Sequence, residues 1–101
     1  MPPTFGSFRE FYPYYLGEHA HPVNRRLHFV GTSLVLLLLL ASPIVDARLL
    51  WALPIAGYGF AWVGHFVVEK NRPATFRHPL WSLMGDFKMY ADILAGRVRL
   101  R

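Results

Sequence analysis

The chain has 101 residues, enough for one domain, with 53% hydrophobic, 16% aromatic and 17% charged residues and no cysteine. So apolar a composition, charged well below the roughly 25% of ordinary soluble domains, excludes disorder, and the missing cysteines exclude a disulfide scaffold and a thiolate zinc site. The net charge of +5, from 11 Lys and Arg against 6 Asp and Glu, suits an anionic membrane surface or nucleic acid; the apolar excess decides for the lipid bilayer, and no nucleic-acid partner is expected.

The N-terminal segment carries no signal-peptide core. Ser7-Phe8-Arg9-Glu10 fits a capping box, and Phe8, Phe11, Tyr12, Tyr15 and Leu16 follow at helical spacing. This predicts an interfacial amphipathic helix over about residues 7–18, kinked or restarted at Pro13. Residues 29–45 are free of formal charge and include the all-leucine run 36–40. With a start near Val23, and Arg25 and Arg26 at headgroup level, they give a transmembrane helix over about 23–44. A short turn with Pro43 and Asp46 follows, then a second uncharged run, 49–68, and a second transmembrane helix over about 49–70. Pro79 is placed as a first helical residue, and Leu80, Leu83, Met84, Phe87, Ala91 and Leu94 form one apolar stripe up to a stop at Gly96. That predicts a second interfacial helix over about 79–95, with the Arg97-Val98-Arg99-Leu100-Arg101 tail as a membrane-surface anchor.

The expected fold is therefore all-α: a single membrane domain, 1–101, with a helical hairpin flanked by two interfacial helices. Two helices buried in a soluble bundle are the alternative, but so short a chain has too little surface to bury them. All the Lys and Arg residues except Arg48 lie outside the hairpin turn, so a multi-pass protein with both termini cytoplasmic is expected.

Residues equidistant from the turn centre, between Asp46 and Ala47, lie at one depth in an antiparallel hairpin. His28 and His65 are such a pair, and so are Asn24 and Glu69. Within each helix the polar pairs are four apart and share a face, so Asn24, His28, His65 and Glu69 form one inward constellation. His19 lies half a turn out of phase and joins only if the chain bends between Gly17 and Pro22. Ionisable groups in membrane segments are costly and usually functional. Two imidazoles and a carboxylate suit non-haem iron and oxygen chemistry. Otherwise the histidines are interfacial groups satisfied by backbone or water, with Glu69 paired to Arg25 or Lys70. His28 and His65 also leave open a b-type haem between two histidines in an electron carrier, or a non-catalytic adaptor packed by its polar cluster. Gly57, Ala61 and Gly64 form a small-residue stripe that can seat a second helix. Two helices alone expose a polar site to lipid, so a homo-oligomer is expected.

Four further patterns combine: Phe11-Tyr12-x-x-Tyr15-Leu16-x-x-His19; Asn24-x-x-x-His28-x-x-Gly31; Gly64-His65-x-x-x-Glu69-x-Asn71-x-Pro73-Ala74; and Thr75-Phe76-x-x-Pro79-Leu80-x-Ser82-Leu83-x-x-Asp86. Together they resemble the small membrane proteins related to fungal 2-hydroxy fatty acid dioxygenase, over about residues 5–96. The fungal enzyme is longer and acts in phytosphingosine breakdown at the endoplasmic reticulum; this chain resembles the compact bacterial form, which implies a bacterial inner membrane, or the endoplasmic reticulum if the chain is eukaryotic. The resemblance implies Fe(2+)-dependent α-oxidation of a 2-hydroxy fatty acid with O2, releasing an acid one carbon shorter. It implies His19, His28 and His65 as metal ligands, with His78 as a further candidate, and Glu69 and Asn24 as catalytic residues. For the substrate that the resemblance implies, Arg25, Arg26, Lys70 and Arg72 are candidates to hold the carboxylate, Arg25 and Arg72 foremost, and Trp62, Phe66 and Phe60 to line the acyl tail. His21 falls outside the pattern.

Overall fold

The computed structural model describes residues 5–100, whose regular structure is all helical, with no strand. Four helices follow in order: α1 (Phe8–Glu18), α2 (Pro22–Ala41), α3 (Ala47–Glu69) and α4 (Pro79–Leu94), with a short 3-10 turn, Ala74–Phe76, before the last. The ends of the hairpin helices lie within three residues of the expected positions.

Ser7 caps α1 by accepting from the Glu10 N–H at 3.3 Å, but the Glu10 carboxylate reaches back to the Gly6 N–H at 2.7 Å, one residue beyond the usual box. The helix continues through Pro13 without a break, contrary to a restart there. Pro13 is exposed, so the carbonyl that loses its donor, that of Arg9, lies on the outer face. The chain breaks between Glu18 and Pro22, where the sequence permits a bend, and His21 caps α2 through its side chain.

α3 is irregular. It opens as a 3-10 segment, Ala47–Ala52, and widens into π-turns at Ile55–Gly59 and Gly64–Glu69. Pro54 and three glycines weaken the regular hydrogen-bond ladder here, and π-turns recur at functional sites. The helix ends at Lys70, which holds a left-handed conformation (φ 58, ψ 42). That turn folds Asn71 back so that its N–H reaches the His65 carbonyl at 2.9 Å.

α2 and α3 touch where side chains are missing. A Cβ on Gly31 would stand 2.9 Å from the Ala56 carbonyl, and one on Gly64 would stand 1.7 Å from the Asn24 Oδ1. The small-residue stripe of α3 thus seats a helix, and that helix is α2 of the same chain.

The buried core lies beside the hairpin, where α1, Ala74 and α4 meet: Phe11, Tyr12, Tyr15, Ala74, Met89 and Val98. The hairpin is largely uncovered, with 22% and 17% of its two most apolar windows buried. Leu40, Ile44 and Trp51 are 70%, 84% and 83% exposed, so these are not core helices of a soluble bundle. α4 is likewise inverted. Its expected apolar stripe faces outward, with Leu80 and Leu94 each 66% exposed, while Ser82, Gly85, Met89 and Asp92 face inward.

α4 packs on two helices. Tyr90 stacks on Phe29 at 4.8 Å and meets the Ser33 hydroxyl at 2.9 Å. Asp92, buried, accepts from the Tyr12 hydroxyl at 2.7 Å, from Arg97 at 3.0 Å and from Lys88 at 3.2 Å, tying α1 and the tail to α4. Gly96 (φ +80) turns the chain as expected, but the tail folds back: Val98 is buried, and Arg25 and Arg26 donate to the Arg99 and Leu100 carbonyls. The tail is a strap on α2, not a free anchor; Arg101 lies outside the described residues.

Candidate metal centre

Three helices each bring one imidazole to a single point. His19 is the residue that closes α1, His28 sits in the second turn of α2, and His65 rides the last π-turn of α3. All three are buried, at 5% exposure or less. The bend at residues 19–21 brings His19 into phase with the other two.

Each Nδ1 is held by an oxygen acceptor. His19 Nδ1 lies 2.6 Å from the Tyr15 carbonyl, His28 Nδ1 3.0 Å from the Asn24 carbonyl, and His65 Nδ1 2.7 Å from the Asn71 Oδ1. The Asn71 amide has a defined orientation, because its Nδ2 donates to the Glu18 carbonyl at 3.0 Å and the Glu18 carboxylate at 2.8 Å. Every Nδ1 therefore carries the proton, and every Nε2 presents a bare lone pair. These lone pairs face one another: His19 Nε2 is 3.1 Å from His28 Nε2 and 2.8 Å from His65 Nε2. Burial, and then the neighbouring imidazoles, hold His19 well below the ordinary histidine range, which keeps it neutral. Three neutral, converging donors with oriented Nδ1–H groups fit a divalent transition metal and have no good partner otherwise.

The histidines line a cavity of about 20 Å³ together with Tyr15, Tyr58, Ser82 and Asp86. That is room for about one water-sized molecule. A porphyrin does not fit, and His19 fills the space between His28 and His65 that the haem reading needs. The Tyr15 hydroxyl donates to Asp86 Oδ1, and the Tyr15 ring stacks on His19 at 4.0 Å. Burial pushes the Asp86 carboxyl up to about 6, against the lowering effect of the Tyr15 hydrogen bond. Burial, then the Asp86 charge, pushes the Tyr15 phenol well above its usual value.

The other candidates are placed around this centre rather than in it. Asn24 is fully buried; its carbonyl holds His28, and its Nδ2 is 3.4 Å from Glu69. Glu69 also accepts the His21 N–H at 2.5 Å, so its carboxylate braces the start of α2 and stands outside the converging donor set. It is paired with neither Arg25 nor Lys70.

His78 does not join the cluster. It precedes Pro79 at the start of α4, an extended position that sends its ring into the aromatic core, 5.1 Å from Phe11 and parallel to Trp81 at 5.8 Å. Arg25 donates to the His19 carbonyl at 2.6 Å, and Arg72 lies over the Phe76 ring at 5.7 Å. Neither lines the histidine cavity. His21 has a task of its own, accepting the Val23 N–H at 3.1 Å as the cap of α2.

Asp86, Tyr15 and Asn71 stand in the patterns that carry the family resemblance but not among the expected site residues. A carboxylate amid the apolar stripe of α4 was the available signal for Asp86, and Tyr15 lies one helical turn before His19.

A family model described as 2-hydroxy-palmitic acid dioxygenase Mpo1-like matches residues 5–98. No curated protein and no solved structure gives a significant match.

Proposed function

The chain belongs to the 2-hydroxy-palmitic acid dioxygenase Mpo1-like family, and from that premise we propose that it is an iron(II)-dependent membrane dioxygenase that shortens 2-hydroxy fatty acids by one carbon. One observation carries the metal: three buried Nε2 atoms converge while all three Nδ1 atoms are held by oxygen acceptors. The family description supports the substrate. The reaction balances without an external reductant: a 2-hydroxy acid and O2 give the acid one carbon shorter, CO2 and water.

His19, His28 and His65 would hold the iron, which supplies the one-electron chemistry that lets O2 react with a closed-shell substrate. Tyr15, Asn24 and Asn71 orient the three rings through their Nδ1–H groups. Glu69 acts one step further out, fixing Asn24 and the α2 start. Asp86, with Oδ1 engaged by Tyr15, is ionised near neutral pH and offers its other oxygen to the substrate's 2-hydroxyl.

The outward apolar faces of α2, α3 and α4 support a multi-pass membrane location, and the concentration of basic residues away from the turn supports cytoplasmic termini. α1 and α4 help to cover the site, so a second copy is not needed to enclose it. Iron analysis of detergent-purified protein, with oxygen uptake on 2-hydroxypalmitate, tests the proposal. Bound iron, oxygen uptake and a C15 acid as product are expected. Iron-loaded protein that leaves 2-hydroxypalmitate intact would sink the reaction.

A further inference from the structure

Beside the histidine cavity lies a larger one of about 270 Å³. The two share a wall made of Tyr58, Thr75 and Asp86. Away from that wall the second cavity is lined by carbon: Val35 from α2, Leu53 and Gly57 from α3, Leu83 from α4. Asp86 is its one charged lining residue, and it stands at the histidine end.

The cavity also has a direction. Val35 lies seven residues past His28 toward the hairpin turn, a rise of about 10 Å. Leu53 lies on the turn side of His65 along α3. The space therefore runs from the metal centre toward the middle of the hairpin, polar at one end and apolar along its length.

Resting on the function proposed above, we infer that this cavity holds the first methylenes of the substrate's acyl chain and fixes the register of its 2-carbon at the histidines. The occupant is a single acyl tail because the groove is lined by carbon along its length and opens, at Asp86, on the acceptor proposed for the substrate's 2-hydroxyl and on the histidines beyond it. Bilayer lipid is as apolar as the groove, so occupancy adds little hydrophobic gain; what the groove supplies is shape. The tail thus runs past Val35, Gly57 and Leu83, on a different course from Trp62, Phe66 and Phe60.

Gly57 is the point of control. A Cβ there would meet Val35 Cγ2 at 3.5 Å, an ordinary contact, so a side chain can enter without forcing the helices apart. Gly57→Leu should fill the groove, and Gly57→Ala should narrow it.

The chain has no cysteine, so a single thiol reports occupancy apart from turnover. Leu83→Cys places it in the groove wall, at a position 52% exposed, and Leu40→Cys, at a position 70% exposed and outside the groove, is the control. Maleimide labelling of the iron-loaded protein in detergent is measured with 2-hydroxypalmitate and with 2-hydroxybutyrate. The long acid should slow labelling of Leu83→Cys by about fivefold or more and leave Leu40→Cys unchanged, while the short acid should protect neither. Adding Gly57→Leu should abolish the protection with iron content unchanged, and in the enzyme without the thiol it should shift oxygen uptake toward shorter acids. Protection without oxygen uptake would keep the groove and defeat the reaction. Equal slowing at both thiols, or none, overturns the groove whether or not the protein turns over.

Discussion

The Tyr15 hydroxyl donates to the Asp86 carboxylate across 71 positions of sequence, and the carbonyl of the same tyrosine holds His19 Nδ1 at 2.6 Å. One residue thus joins His19, which closes α1, to Asp86 on α4. The tyrosine also fits against Gly85, whose Cβ position is 3.0 Å from the ring, so α4 can approach only with glycine there.

Asp86 should be needed in its ionised form. Its carboxyl sits at about 6, raised by burial and eased back by Tyr15, so turnover should fall as pH drops through that value. Tyr15→Phe removes the lowering contact and should move this acid limb to higher pH. Asp86→Asn should remove the limb and reduce turnover by roughly 100-fold, the scale of a lost acid–base group, with iron retained. Stability runs the opposite way. A carboxyl raised in the folded state favours folding most below its unfolded value, and the advantage is lost as pH rises through about 6. Asp86→Asn should therefore gain on the parent in thermal stability between pH 4 and 7. An unchanged pH–rate profile in Asp86→Asn would remove the acid from the chemistry.

His21 and His28 should separate cleanly. His28→Ala deletes a converging donor and should strip the metal, as should His19→Ala and His65→Ala. His21→Ala deletes only the cap of α2, worth about 1 kcal/mol, while its backbone N–H still reaches Glu69. It should lower the melting temperature slightly and keep its iron. Metal analysis of the four variants checks this, and equal loss from all four would mean that the histidines act through stability alone.

Much of this centre is legible in the sequence. The symmetry of His28 and His65 about the turn, and of Asn24 and Glu69, follows from helical rise alone, and both pairs meet. His19 was legible as a conditional ligand because Gly17 and Pro22 allow a bend. The partners Tyr15, Asp86 and Asn71 were less so. The Tyr15–Asp86 bond depends on how two flanking helices cross, which periodicity does not encode, and Asn71 reaches His65 through the left-handed Lys70, an unusual state for lysine. The outward apolar stripe of α4 fits an interfacial helix, but the inward face of Ser82, Gly85, Met89 and Asp92 has no periodic apolar signal and so is hidden in the sequence. His78 carried the right chemistry, but the proline after it directs it to another place.

Gly64 should tolerate no side chain. A Cβ would stand 1.7 Å from Asn24 Oδ1 and 2.7 Å from Asn24 Cγ, so Gly64→Ala must move α2 or rotate Asn24. A cost of about 1–3 kcal/mol is expected, along with loosened iron, because the same contact spaces His28 from His65. Asn24→Ala in the same chain should restore part of both, since it removes the clashing atoms. The two changes should be strongly non-additive in thermal melts and iron content. Simple additivity would show that the contact does not set the helix spacing.

Asn71 and Glu69 give the last contrast, between a group that touches one of the converging histidines and one that braces the site from a distance. Asn71 Oδ1 accepts from His65 while its amide nitrogen is held by Glu18, so Asn71→Ala frees the ring to turn. Losing such an orienting partner costs roughly 10–100-fold in metal affinity, and that range is expected here. Asn71→Asp keeps the acceptor but sets a negative charge against Glu18, so it should rescue iron binding only in part, and better when Glu18→Gln is added. Glu69→Gln retains an oxygen for the His21 N–H and the Asn24 amide, and should change iron affinity by less than about threefold on the same scale. Competition with a chelator ranks the variants directly. If Glu69→Gln loses as much iron as Asn71→Ala, the Glu69 carboxylate belongs among the ligands, and α3 must turn toward the centre when the metal binds.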